Sequence, residues 1–195
     1  MKYSIADIVD KIQEAIAKGE RLYSKPFINY KGATTNGEKY TEVIAEYLLK
    51  NRNAVNSGIK QITRESSYRV EGHDGMAIRN STNRLEERIA HKMHNNEYPN
   101  IGNVVDYQVP LKNKLTDTGL GKIDMLSYDP SSDTLFIIEL KRPDSKDTLL
   151  RCVLEAYTYY LTVNEEKLKS DFCKYTATVV PLVLVFEGSL ASREY

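Results

Sequence analysis

The sequence predicts an α/β domain: a central mixed sheet flanked by helices, its elements in the order αβββαβ, preceded by an amino-terminal helical extension. Three observations carry the prediction. Three β-rich runs follow one another between Val104 and Lys141, a helical apolar stripe precedes them, and a second helical stripe with a fourth β-rich run comes after. The 195 residues suffice for one domain with a full core. Residues 1–80 are read as the extension, packed on the core, and residues 81–195 as the core itself.

In the extension, Ile5, Ile8, Val9, Ile12, Ala15 and Ile16 recur at helical spacing after Ser4, and that helix ends near Gly19. Lys25 to Gly37 reads as loop, and Val43, Ile44, Tyr47 and Leu48 mark a second helix. Asn51 to Asn80 is polar and irregular, with a short strand at Tyr68 to Val70 and a turn at Gly72 to Gly75 as its only candidate features.

The core opens with a helix starting after Ser81 or Thr82, with Leu85, Ile89 and Met93 on its buried stripe and its end near Asn95 or Asn96. Strands follow at Val104 to Leu111, Lys122 to Asp129 and Thr134 to Lys141, the last stopped by Pro143. Asp147 or Thr148 caps a helix carrying Leu149, Leu150, Val153, Leu154, Tyr157 and Leu161. Thr176 to Glu187 supplies the fourth strand, where Pro181 points to an edge or a bulge.

The second and third strands are joined by Asp129-Pro130-Ser131-Ser132-Asp133, a turn signal that predicts a hairpin. Pairing Asp129 with Thr134 sets Tyr128 opposite Leu135, Leu126 opposite Ile137 and Asp124 opposite Glu139, so both carboxylates share a face. Met125 then meets Ile138, Ile123 meets Leu140 and Lys122 meets Lys141. The hairpin is apolar on both faces and expects helices on both; only its far end is charged. Two opposed carboxylates roughly 5 Å apart at Cβ repel unless a proton or a cation intervenes. Lys141 projects to the same side one pleat beyond Glu139. Oxygen ligands in this number suit Mg²⁺ or Mn²⁺, which would polarise a phosphate and help make hydroxide, with Lys141 positioning the nucleophile or balancing charge. An E-x-K triplet at a strand end is also a common solvated salt bridge, and the facing Asp on an apolar hairpin is what argues for more.

Composition restricts the classes of function. Lys+Arg and Asp+Glu are equal at 27 each, so there is no global positive field and phosphate binding has to be local. No apolar run approaches the roughly 20 residues that cross a bilayer, and the amino terminus lacks the layout of a secretion signal, so no membrane association and a cytoplasmic address are expected. Cys152 and Cys173 have no ligand spacing and read as reduced thiols, Cys152 buried on a helix.

Three segments, Gly121-Lys122-Ile123-Asp124, Ile137-Ile138-Glu139-Leu140-Lys141-Arg142-Pro143 and Glu155-Ala156-Tyr157-Thr158-Tyr159, together resemble the PD-(D/E)XK nuclease superfamily, the restriction-endonuclease-like fold. The stretch from Gly121 to Tyr160 looks most like the nuclease modules of type I restriction subunits and mismatch-type endonucleases. The resemblance implies that Asp124 and Glu139 ligate a metal ion, that the main-chain carbonyl of Leu140 joins them, and that Lys141 serves the attacking water. It also implies an acidic ligand on the preceding helix. Glu86, projecting close to the buried stripe, suits this better than Glu87, although Glu86 pairing with Arg88 or Lys122 explains it equally. Glu155 stands where the resemblance expects Gln, so an amide donor is lost while an acceptor or a charge at the metal remains. Lys122, Arg142, Arg151 and Tyr159 are the candidates for nucleic-acid contact, DNA before RNA, though each basic side chain is equally a surface charge. Cleaving both strands of a duplex calls for two sites, hence a homodimer or successive nicks. The rival expectation is a module of the same fold that binds nucleic acid or partners without catalysis.

Other features carry less. His91 and His94 have a spacing that can ligate zinc, but nothing nearby completes a tetrahedral set, and exposed helix histidines explain them. His73 sits in a turn that itself accounts for the neighbouring Gly and Asp. Fourteen tyrosines, with Tyr157 in the core, and Lys112 and Lys114 suggest either a strand-binding groove or an amphipathic surface.

Overall fold

The computed structural model describes residues 2–73, 84–114, 117 and 120–194. Its elements are α1 (Ile5–Ala17), short 3-10 turns at Leu22–Ser24 and Pro26–Asn29, α2 (Tyr40–Lys50), α3 (Arg52–Ser57), α4 (Leu85–Met93), β1 (Glu97–Tyr98), β2 (Gly102–Pro110), β3 (Lys122–Asp129), β4 (Thr134–Leu140), α5 (Leu149–Thr162), α6 (Glu165–Asp171), β5 (Thr178–Leu184) and α7 (Leu190–Glu194). Within this list α4-β2-β3-β4-α5-β5 is the expected αβββαβ order. The boundary placed at residue 80 and the helix start at Ser81 or Thr82 lie outside the described residues, as does the turn beyond His73.

The extension is built as its periodicity predicts. Ser4 starts α1 with a reciprocal box, its hydroxyl accepting from the Asp7 N–H at 3.1 Å while the Asp7 carboxylate accepts from the Ser4 N–H at 2.8 Å. Ile8, Ile12, Val43, Ile44 and Leu48 then bury together with Phe27 and Ile28 of the second 3-10 turn, and Leu150 and Leu154 of α5 pack against them. That shared cluster seats the extension on the core. The stretch read as loop contains the two 3-10 turns; Pro26, with its fixed φ, opens the second.

The five strands lie in the order β1-β2-β3-β4-β5, antiparallel except for the β4–β5 pair, which is parallel and crossed over by α5. The sheet is therefore mixed and flanked by helices. On one face Leu126, Leu135 and Ile137 pack with Tyr159, Val163 and Leu168 of the α5–α6 side. On the other, Met125, Ile138 and Leu140 pack with Ala90 of α4. Pro181 sits in β5, the edge strand, where its missing N–H costs no ladder bond. At the other end of the sheet Gly102, at φ +68°, lies so close to β3 that a Cβ there would stand 2.2 Å from the Tyr128 carbonyl oxygen.

Tyr68 to Val70 forms no strand. Tyr68 is instead a fully buried core residue whose N–H donates to Asp171 at 2.8 Å and whose hydroxyl donates to the Ile62 carbonyl at 3.1 Å, while the Val70 N–H donates to Asp106. Side chains satisfy this backbone in place of a ladder. No helix among the described residues is long and apolar enough to cross a membrane.

Candidate functional site

The hairpin register is the one the turn predicts, from Asp129–Thr134 to Met125–Ile138. There the ladder stops, although both strands continue. β3 goes on pairing with β2 through Val109–Ile123 and Pro110–Lys122, while β4 goes on pairing with β5 through Glu139–Val183 and Leu140–Leu184. The sheet forks between Asp124 and Glu139. The expected pairs Asp124–Glu139, Ile123–Leu140 and Lys122–Lys141 do not form: the ladder ends at Met125–Ile138, Ile123 joins the α5-side core and Leu140 the α4-side core. The Lys141 N–H donates to the Leu184 carbonyl at 3.0 Å. The Leu140 N–H, left without a strand partner in β3, donates at 3.0 Å to Oδ2 of Asp124.

Glu139 and Lys141 are nearly sealed in the fork, at 3% and 7% exposure. The Lys141 ammonium lies 2.5 Å from Oε1 of Glu139, 2.9 Å from Oε2 of Glu155 and 3.8 Å from Oδ2 of Asp147. Glu155 is itself fixed by the Tyr159 hydroxyl, which donates to its other oxygen at 3.1 Å. Gly121 permits this, because a Cβ at that position would meet the Tyr159 hydroxyl at 2.3 Å. Asp147 is oriented by Asn29 Nδ2 at 3.1 Å and Arg151 Nη1 at 3.0 Å.

Negative charge outweighs positive in this fork, and the carboxyls register it. Burial pushes Asp124 up to about 7, and the neighbouring Glu155 and Glu86 carboxylates add to the shift while the Leu140 N–H and Lys141 oppose it. Burial, then the charges of Asp124 and Glu155, raise Glu139 well above the ordinary glutamate range. For Lys141, burial works against the charged form, but the Glu139 and Glu155 carboxylates outweigh it and hold the ammonium protonated. Burial raises the Tyr159 phenol and moves the buried Cys152 thiol up to about 12, leaving that cysteine inert.

Asp124 lines an open cleft of about 610 Å³ shared with Glu86, Glu87, Gln108, Lys112, Lys122 and Tyr159. Glu86 reaches it for a reason other than the expected stripe: Leu85 is 39% exposed and Ala90 is the residue α4 buries, so Glu86, one turn before Ala90, faces the core end of the cleft. Its Oε1 lies 3.5 Å from the Arg142 N–H. Lys122 is exposed at the cleft wall. Arg142 pairs with Asp144 at 3.0 Å and Arg151 with Asp147 at 3.0 Å, so each carries its own counter-ion. Tyr159 is 6% exposed and its hydroxyl serves Glu155, which makes it an internal support of the site as well as part of the cleft wall.

The fork also gathers Gln108, Asp147 and Asn29, which the sequence reading does not single out. Asp147 has a sequence signal: it stands beside Thr148, and since Thr148 takes the cap by accepting from the Arg151 N–H, Asp147 is left to face Lys141. Gln108 and Asn29 carry no such signal, because their partners lie in other elements. The histidines differ from expectation as well. His73, His91 and His94 are half-buried around the Tyr107 ring, with His73 stacked at 3.8 Å and its Nδ1 2.7 Å from the buried Asp106.

Among the described residues no group of three or more His, Cys, Asp or Glu side chains is placed to hold a metal ion. The cleft does offer oxygen donors of the kind a hard divalent ion takes, since Asp124 lines it together with Glu86, while Glu139 lies closed off at 3% exposure. Comparison with known proteins adds no relative: no family model, no curated protein and no solved structure matches the chain.

Proposed function

We propose that the protein is a metal-dependent nuclease of restriction-endonuclease-like fold that hydrolyses phosphodiester bonds, in DNA before RNA. The single observation that carries this reading is the forked sheet, which buries Glu139 and Lys141 against each other beside Asp124, the carboxyl that lines the cleft of about 610 Å³. Asp124 and Glu139, with the main chain of Leu140 and with Glu86, would hold Mg²⁺ or Mn²⁺. That ion, when bound, polarises a phosphate oxygen and acidifies a water.

The chain's own residues account for the rest. Lys141 stays an ammonium at neutral pH, so its part is to orient a water and offset the charge that builds on the phosphate rather than to take a proton. Glu155 supplies a second carboxylate for that ammonium, which lets Glu139 share its charge with a cation without leaving Lys141 buried and unpaired. Lys122 and Lys112 on the cleft wall offer phosphate contacts; Arg142 and Arg151 would contribute after exchanging Asp144 and Asp147 for phosphate. Cleavage of both strands would engage two copies of the chain or two successive nicks.

A second reading, a module of the same fold that binds without cleaving, is favoured by one observation: Glu139 and Lys141 are almost closed off and already satisfy each other. Incubating the protein with labelled single-stranded, double-stranded and branched DNA and with RNA, in Mn²⁺ or in EDTA, separates the two. The nuclease reading expects Mn²⁺-dependent cleavage that Lys141→Ala removes. Binding without cleavage, unaffected by EDTA, supports the module instead.

A further inference from the structure

β2 carries two irregularities on its way to the cleft. Its pairing with β3 slips between Val104 and Asp106, a bulge that re-aims the residues beyond it. Gln108 then adopts φ +50°, a left-handed conformation that strains a non-glycine residue, although Tyr107–Met125 and Val109–Ile123 remain in register on either side. Strain in mid-strand persists only where the surroundings impose it. Here the side chain is the reason at hand: Gln108 lines the cleft, and its Nε2 donates to Oδ1 of Asp124 at 3.2 Å. The other oxygen, Oδ2, takes the Leu140 N–H. Both oxygens of Asp124 are thus held, one by main chain from β4 and one by an amide from β2.

We propose that Gln108 is a positioning residue for Asp124, fixing the carboxylate's orientation toward the divalent ion; the inference rests on the nuclease reading above. A neutral amide suits the task. It steadies an oxygen that a lysine or arginine would neutralise, and it adds no charge to a fork already rich in carboxylates. The backbone strain is what bringing the amide to Asp124 requires.

Gln108→Gly separates the amide from the backbone, because glycine takes φ +50° without strain while the donor is removed. Thermal unfolding in EDTA is measured first and Mn²⁺ affinity by calorimetry second, on the unaltered protein, Gln108→Gly and Gln108→Asn. The expected result is a melting temperature in Gln108→Gly equal to or above that of the unaltered protein, together with Mn²⁺ binding weakened roughly tenfold or more. Gln108→Asn, whose shorter amide falls short of Asp124, is expected to weaken binding comparably. If the unaltered protein binds Mn²⁺ and Gln108→Gly binds it equally well, this inference is overturned alone. If Gln108→Gly melts markedly lower, the strain and the role assigned to it are overturned. If the unaltered protein binds no Mn²⁺, the nuclease reading fails and takes this inference with it.

Discussion

Lys141→Met is expected to lower stability by about 3–5 kcal/mol at neutral pH, the cost of leaving a buried ion pair with one partner. Among the described residues the ammonium is the cation paired with Glu139, at 2.5 Å, and Glu139 is 3% exposed, so its charge has no water to fall back on. The pH dependence has a definite sign. A lysine whose pKa rises on folding contributes stability that is complete below its ordinary value near 10.5, so across the neutral range the unaltered protein has all of it. In the variant, lowering the pH protonates Glu139 and Asp124 and recovers much of the loss. Adding Glu139→Gln to Lys141→Met is expected to restore part of the stability at pH 7, because the Glu139 charge is removed while Glu155 is left without its ammonium, and not to restore cleavage. Urea unfolding of the three proteins between pH 5 and pH 8 checks this. Equal stabilities throughout would mean that the pair is not buried as described.

Asp124→Asn is expected to act in the opposite direction. Asp124 has its folded pKa raised from the ordinary 3.8 to about 7, so its contribution to stability is fully present below about pH 4 and is lost as the pH rises through about 7. At about 1.4 kcal/mol per pH unit the loss is bounded at roughly 4 kcal/mol. An asparagine carries no such loss and can still accept from the Leu140 N–H. The variant is therefore expected to exceed the unaltered protein by about 2 kcal/mol at pH 8, the gap closing towards pH 4, while metal-dependent cleavage disappears. Thermal unfolding in EDTA at pH 5 and pH 8 reads the effect directly. A site kept for function at the expense of stability behaves this way; a structural ion pair would lose stability on the same change.

Much of this arrangement is legible in the chain because it is local. Asp129-Pro130 and the β-rich runs on either side set the hairpin register, and that register places Asp124, Glu139 and Lys141 at one end of it. The αβββαβ order follows from the alternation of periods. The fork is not legible, since whether β4 stays with β3 or leaves it depends on β5, which arrives some forty residues later in the chain. For the same reason the register alone sets Lys122 opposite Lys141, whereas the two end in different surroundings, one exposed and one sealed. Helical geometry selects Glu86 from a stripe that includes Leu85, whereas in the fold Leu85 is exposed and Ala90 anchors the helix. Gln108 and Asn29 escape sequence reasoning altogether. A lone amide has no period and no spacing, and its role comes from the carboxylate across the fold that it meets.

On the proposed function, the fork between β3 and β4 would hold one hard divalent cation through Asp124 and Glu139. Isothermal titration of the metal-free protein with Mn²⁺ at pH 7, in two buffers of different ionisation enthalpy, tests it most directly. A single saturable site is expected, with protons released on binding because Asp124, raised to about 7, is partly protonated beforehand, and Asp124→Asn is expected to abolish the heat. A flat titration, or binding that Asp124→Asn leaves unchanged, would contradict it.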